Sequence, residues 1–251
     1  EDVIIMLAES GYIKRQSVDT YKAQNRGGRG IKSLTLNEED SIDTMISMST
    51  HDYLLLFTNT GRVYRMRGFN VPNASRTSKG IPIVNLLTLE KGEQIKTLQP
   101  VPKDYKFNDI EFKNLLFVTK NGIVKRTSVS EFENINRNGK IAISLKEDDE
   151  LAFVKLTTGN DEIIIAGSNG KAVRFNEDQI RVMGRSAAGV TGFNCDGSEV
   201  VGVALSNEGK TILSISENGY GKRSYLEDYR LTSRGKKGVR TINITEKTGK
   251  L

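Results

Sequence analysis

Residues 24–30 read QNRGGRG, with two arginines and three glycines in seven positions and no acidic group among them. The chemistry open to this set is anion binding. Gly27, Gly28 and Gly30 carry no side chain, so backbone N–H groups can approach an anion closely. Arg26 and Arg29 can hold oxyanions bidentately, and Gln24 and Asn25 add neutral hydrogen-bonding groups. The stretch has no apolar side chain with which to build a core. Glycine also disfavours it as the interior of a helix or strand, so it reads as an exposed basic loop.

The loop belongs to a repeat. Gly11, Gly61, Gly122, Gly170 and Gly219 each follow an apolar run, IIML, LLLF, LLFV, IIIA or ILSI. Four residues beyond each glycine stands an arginine: Arg15, Arg65, Arg126, Arg174, Arg223. Fifteen residues beyond stands another: Arg26, Arg76, Arg137, Arg185, Arg234. A second glycine lies nineteen residues on at Gly30, Gly80, Gly189 and Gly238, and two residues earlier in the third copy at Gly139. Ten arginines in fixed register establish five repeats, near 1–50, 51–100, 112–160, 161–208 and 209–251.

Each repeat reads as β structure. The apolar run closes in a polar-Gly turn and returns through YIKR, RVYR, IVKR, KAVR or YGKR, a hairpin pattern. A further strand is expected after the second glycine (GIKSL, GIPIV, GVTGF, GVRTI) and another in the connector (TMISM, QIKTL, LAFVKL, VVGVAL). Four strands in about 50 residues is the pattern of a propeller blade. The expected fold is therefore all-β, propeller-like, and a single domain over 1–251. The five landmark glycines should lie in equivalent turns and the five apolar runs in equivalent buried strands. Residues 100–114 read as an insertion loop.

Charge is segregated along the repeat. The 21 residues after each landmark glycine together hold 26 basic and 7 acidic residues, whereas the remainder of the chain holds 11 basic and 24 acidic. Equivalent positions of a radial array fall on one band, and a continuous positive band is the footprint of a polyanion. The expected contact residues are Lys14, Arg15, Gln24 to Gly30, Arg65, Arg76, Lys79, Arg126, Arg137, Lys140, Arg174, Arg185, Arg223, Arg234, Lys236 and Lys237. Enzymatic readings find too few parts. His51 is the only histidine, Cys195 the only cysteine, and no P-loop pattern is present. EED (38–40) and EDDE (147–150) read as solvated turns. A protein-binding scaffold would rely on aromatic hot spots, and the chain has no Trp. No apolar run approaches the roughly 20 residues of a membrane span, and the lone cysteine fits a reducing compartment. The opening EDVIIML, an acidic start leading directly into an apolar run, reads as part of a longer chain.

QNRGGRG, with the preceding EDVIIMLAESGYIKR, resembles the gyrase box and its lead-in strand in the C-terminal domain of the DNA gyrase A protein. The resemblance extends over the whole chain as recurring blades. It departs at Asn25, where the family pattern is basic. It implies a β-pinwheel in which strands are exchanged between neighbouring blades and a basic rim wraps duplex DNA. That wrapping gives handedness to strand passage, so that the parent type IIA topoisomerase introduces negative supercoils. It implies a domain without catalytic residues, cofactor or metal, monomeric when isolated and located in the cytoplasm with the nucleoid. Its partners are DNA, the N-terminal part of the same polypeptide and the separate protein that hydrolyses ATP. The related domain of topoisomerase IV and a protein-binding propeller are the alternatives. The family disc commonly has six blades, and TEKTGKL stands where a sixth would begin.

Overall fold

Ile, Leu, Val and Phe suit a pleated, half-buried surface. A glycine at positive φ closes each run into a hairpin, because that backbone region is strained for residues with a Cβ. The computed structural model describes residues 1–20 and 42–251. Among them the protein is all-β apart from short 3-10 turns. It divides into two compact units, Glu1–Asp109 with Asn134–Lys140, and Ile110–Glu133 with Ile141–Leu251. Strands are numbered along the chain.

The first unit holds two four-stranded sheets. One joins β1 (Asp2–Ala8), β2 (Tyr12–Ser17), β3 (Ile42–Ser49) and β6 (Ile81–Pro82) in the order β3-β1-β2-β6. The other joins β4 (Tyr53–Thr58), β5 (Arg62–Arg67), β7 (Ile95–Val101) and β12 (Lys140–Ile141) in the order β12-β5-β4-β7, reached through the segment 134–140. The short β8 (Lys106–Phe107) follows in the region read as an insertion. Val3, Ile5, Leu7, Ile13, Leu54, Leu56 and Tyr64 form the core of this unit.

In the second unit, after the short β9 (Ile110–Glu111), β10 (Asn114–Thr119), β11 (Ile123–Ser128), β13 (Leu151–Thr157) and β16 (Val190–Thr191) run β13-β10-β11-β16. The next sheet, β17-β14-β15-β20, combines β14 (Glu162–Gly167), β15 (Lys171–Asn176), β17 (Val200–Leu205) and β20 (Val239–Arg240). The pair β18 (Thr211–Ile215) and β19 (Gly221–Tyr225) completes the described strands. Leu116, Val118, Ile163, Ile165, Val173, Phe175 and Phe193 pack the main core.

The five hairpin turns are equivalent. Each landmark glycine has φ between 79° and 90°, and its N–H donates to the carbonyl three residues back (Ala8, Thr58, Thr119, Gly167, Ser216). In four sheets the connector strand pairs with the first strand and shifts register at one place, just before the turn. Two expectations need correction. The strand after the second glycine is only two residues long; β6, β12, β16 and β20 each complete the sheet of the preceding repeat, the exchange that the resemblance implied. Its first copy, GIKSL, lies outside the described residues. The fifth apolar run is also not buried: Leu213 and Ile215 are 67% and 56% exposed. β18 and β19 form a two-stranded sheet among the described residues, so these side chains have no sheet neighbours to cover them.

The second glycines mark where the exchanged segment meets the preceding repeat. A Cβ on Gly80 would lie 2.3 Å from the Ile13 carbonyl oxygen, and one on Gly189 2.3 Å from that of Val124, with both residues at positive φ. Gly92 has a similar φ but nothing within 4 Å of a Cβ. Gly92→Ala should therefore cost only its backbone strain, about 1–2 kcal/mol. Gly80→Ala adds a clash with main chain that cannot rotate away, and should cost at least about 2 kcal/mol more. Melting temperatures of the two variants check this; equal losses would show that the close approach does not matter.

Candidate nucleic-acid interface

The arginines four residues beyond the landmark glycines sit on the return strands, where the next repeat crosses over. Arg15 N–H donates to the Pro72 carbonyl at 2.9 Å, the Arg15 carbonyl accepts from Ala74 N–H at 3.1 Å, and Arg15 Nε donates to the Val71 carbonyl at 2.8 Å. Arg126 repeats the pattern: its carbonyl accepts from Met183 N–H, and its Nε donates to the Ile180 carbonyl at 2.6 Å. The Arg174 carbonyl accepts from Thr232 N–H, and Arg174 Nη1 donates to the Tyr229 carbonyl at 2.8 Å. Val71, Ile180 and Tyr229 all stand ten residues beyond the next landmark glycine. Arg126 is buried and also donates through Nη1 to Glu177 Oε1 at 2.9 Å. Glu177 is fully buried and accepts further from Thr157 Oγ1 and Asp161 N–H. Arg174 is paired with Glu162 Oε2 at 2.6 Å. Arg65 instead lies over the Tyr53 ring, 3.4 Å from its centroid, and Arg223 is exposed on β19.

These contacts correct part of the expected contact face. Lys14 and Arg126 are buried, and Arg15 and Arg174 are committed to carbonyl and carboxylate groups inside the fold. Their register follows the strand exchange, because a guanidinium offers enough donors to hold a crossing backbone at several points.

Lys14 and Lys125 sit one residue before these arginines and are both fully buried. Lys14 Nζ donates to the carbonyls of Ser75, Arg76 and Ser78, each at 3.0 Å. Lys125 Nζ donates to Gly184 at 3.1 Å, to Arg185 at 2.7 Å and to Ala142. Burial draws the Lys14 ammonium below its usual value and that of Lys125 down to about 8. Glu131 works against the shift of Lys125 and Arg185 adds to it.

The second arginine series stands on the crossing loops and is more open. Arg76, Lys79, Arg137, Lys236 and Lys237 are exposed, and Lys140 and Arg185 are half-buried. Lys237 lies 3.4 Å from Asp196. Arg234 turns back on the protein, with Nε donating to the Gln179 carbonyl and Nη1 to that of Thr191. Gln24, Asn25, Arg26, Gly27, Gly28, Arg29 and Gly30 lie outside the described residues. Two exposed arginines on these segments were missed, Arg181 and Arg230. The signal for them was present, since both stand eleven residues beyond a landmark glycine, the position of Lys22 in the first repeat. His51 is exposed beside Phe69, and burial raises the Cys195 thiol, which leaves it in its unreactive protonated form. Among the described residues no three His, Cys, Asp or Glu side chains group as a metal site.

Four-stranded blades closed by a strand from the following repeat, with basic crossing loops, define a protein of the β-pinwheel class. The family model described as DNA gyrase C-terminal domain, beta-propeller, matches residues 2–47, 52–102, 113–158, 161–207 and 210–251, and the chain belongs to this family. The five matched segments follow the five repeats. The DNA gyrase A protein of Staphylococcus epidermidis is 50% identical over 254 residues, a match that covers 100% of this chain and 28% of that protein. The chain thus spans little more than a quarter of the length of that relative. A solved gyrase A C-terminal domain superposes with TM-score 0.80 at 29% identity, covering 100% of this chain and 80% of that one. The C-terminal domain of a topoisomerase IV superposes with TM-score 0.73 at 30% identity, covering 100% and 75%.

Removing the Arg126 guanidinium leaves the Glu177 carboxylate buried with one partner fewer. Arg126→Met should destabilise the protein by about 3–5 kcal/mol. Arg137→Ala, on an exposed loop, should stay within about 0.5 kcal/mol. Denaturant unfolding of both variants tests the division into inner and outer arginines; similar losses would contradict it.

Proposed function

We propose that this domain binds duplex DNA along its exposed crossing loops and wraps it, and that wrapping gives the parent type IIA topoisomerase its sense of strand passage toward negative supercoils. The observation that carries this reading is the division of the basic residues. Lys14, Arg15, Lys125, Arg126 and Arg174 on the return strands are used up inside the fold, while Arg76, Lys79, Arg137, Lys236 and Lys237 stand exposed on the crossing loops. Lysine and arginine spaced along a backbone path neutralise phosphates, release counterions and read no base. The two arginines and three glycines at 24–30 add a phosphate cluster of the same kind at the equivalent place in the first repeat. In this reading the domain performs no bond chemistry. Cleavage and ATP hydrolysis belong to other parts of the parent enzyme, with which it works in the bacterial cytoplasm and nucleoid. The 50% identity to a gyrase A protein and the QNRGGRG box favour this over the topoisomerase IV reading.

The salt dependence of binding tests the reading. If about ten phosphates are neutralised, log affinity should fall against log salt with a slope near −9, each contact contributing roughly −0.9. Replacing Arg76, Lys79, Arg137, Lys236 and Lys237 together by alanine should bring the slope to about −5 and leave the protein folded, with little selection among random duplexes throughout. A parent slope shallower than about −3, or strong preference for one sequence, would overturn it.

A further inference from the structure

The two caged lysines have no role in the contact itself, yet each holds the loop that would make it. Lys14, in the first repeat, gives all three of its donors to Ser75, Arg76 and Ser78 of the second. Lys125, in the third repeat, binds Gly184 and Arg185 of the fourth. Both sites lie three residues beyond a landmark glycine, and both grip the next repeat at its second arginine. An ammonium buried among main-chain carbonyls is a costly way to fill a core position.

The strand does not require it. The same position is Tyr64 in the second repeat and Val173 in the fourth, each buried in a hairpin of the same register. What differs is how the next loop is held. Beyond Tyr64, Arg62 of the second repeat reaches across to the Asn138 carbonyl. Beyond Val173, Arg234 itself folds back onto the Gln179 and Thr191 carbonyls. Where a lysine holds the loop from inside, Arg76 is exposed and Arg185 half-exposed. The loop beyond Tyr64 leaves Arg137 exposed and the one beyond Val173 leaves Arg234 half-buried, so the lysine acts on the main chain of the loop. A loop with the lysine turns carbonyl oxygens, which would repel a phosphate, toward the interior.

We infer that Lys14 and Lys125 are positioning residues for polyanion binding: each buried ammonium draws in the carbonyls of the next repeat's basic loop and so presents Arg76 or Arg185 to phosphate. The inference rests on the proposed reading of DNA binding and extends it to two residues that cannot touch DNA.

A double-mutant cycle on the 251-residue chain separates positioning from bulk charge. Affinity for a duplex of mixed sequence is measured at fixed salt for the parent, Lys14→Met, Arg76→Ala and the double variant, at a temperature where each is folded by its own melting curve. Arg76→Ala should weaken binding about three- to tenfold, the size of one phosphate contact. Lys14→Met should weaken it by a comparable factor alone, and less than about twofold when Arg76 is already alanine. A Lys14→Met loss of the same factor in both backgrounds would mean that its charge is felt only at a distance, and would overturn the inference. So would no loss at all, or no loss from Arg76→Ala in a protein that binds DNA. Lys125→Met with Arg185→Ala gives an independent cycle in the second unit if Lys14→Met does not fold. A parent that fails to bind duplex DNA would instead remove the functional reading beneath both.

Discussion

The interaction on which the rest depends is the crossing of one repeat over the return strand of the one before it. A four-stranded blade built from one repeat alone would leave the edge of its return strand open, with unpaired N–H and C=O groups. Here that edge is closed by two residues from the next repeat, as Ile13 pairs with Ile81 and Val124 with Val190. A two-residue strand holds little by itself. The crossing is secured by the arginine four residues beyond each landmark glycine in the first, third and fourth repeats, through main-chain bonds to the crossing segment and its guanidinium on one of that segment's carbonyls. The close-packed glycines at 80, 189 and 238 let that segment approach to main-chain contact. Each repeat is thereby incomplete without its successor, the condition under which stability becomes a sum over neighbours.

The crossing also decides where the free charge goes. A segment forced to run along the outside of the preceding hairpin must expose its own outer side, and at that place the repeats carry a second arginine with neighbouring lysines. Inner and outer arginines are chemically identical and differ only in what surrounds them. Glu177 and Glu162 compensate Arg126 and Arg174, whereas Arg76 and Arg137 face solvent. The same guanidinium serves as a cross-brace where acceptors converge and as a surface cation where they do not.

Much of this was legible in the sequence. The hairpins were, because an apolar run closed by a polar-Gly turn has few other solutions, and the five landmark glycines occupy five equivalent turns. The connector strands were legible from TMISM, QIKTL, LAFVKL and VVGVAL, which mark β3, β7, β13 and β17. The ownership of the short strands was legible only through the family resemblance, since Ile81–Pro82 or Val190–Thr191 is too brief to carry a period and its partner lies in the preceding repeat. The fate of Lys14, Lys125 and Arg126 was not legible. Lysine and arginine are expected at the surface unless paired, and their partners are mostly main-chain carbonyls, which leave no mark in a sequence. The fifth run looked like the other four because ILSI also pairs aliphatic residues with a closing polar-Gly turn. Among the described residues β18 and β19 pair only with each other, and such pairing is not encoded in composition.

If the exposed loops wrap DNA, they must impose writhe of a single sign on a closed circle. The direct measurement is to bind increasing amounts of the 251-residue chain to nicked plasmid, seal the nick with ligase, remove the protein and resolve the topoisomers. The account predicts a linking-number shift that grows with bound protein, keeps one sign, and shrinks when Arg76, Lys79, Arg137, Lys236 and Lys237 are replaced by alanine. A distribution centred where it lies without protein, under conditions where the plasmid is saturated, would contradict it.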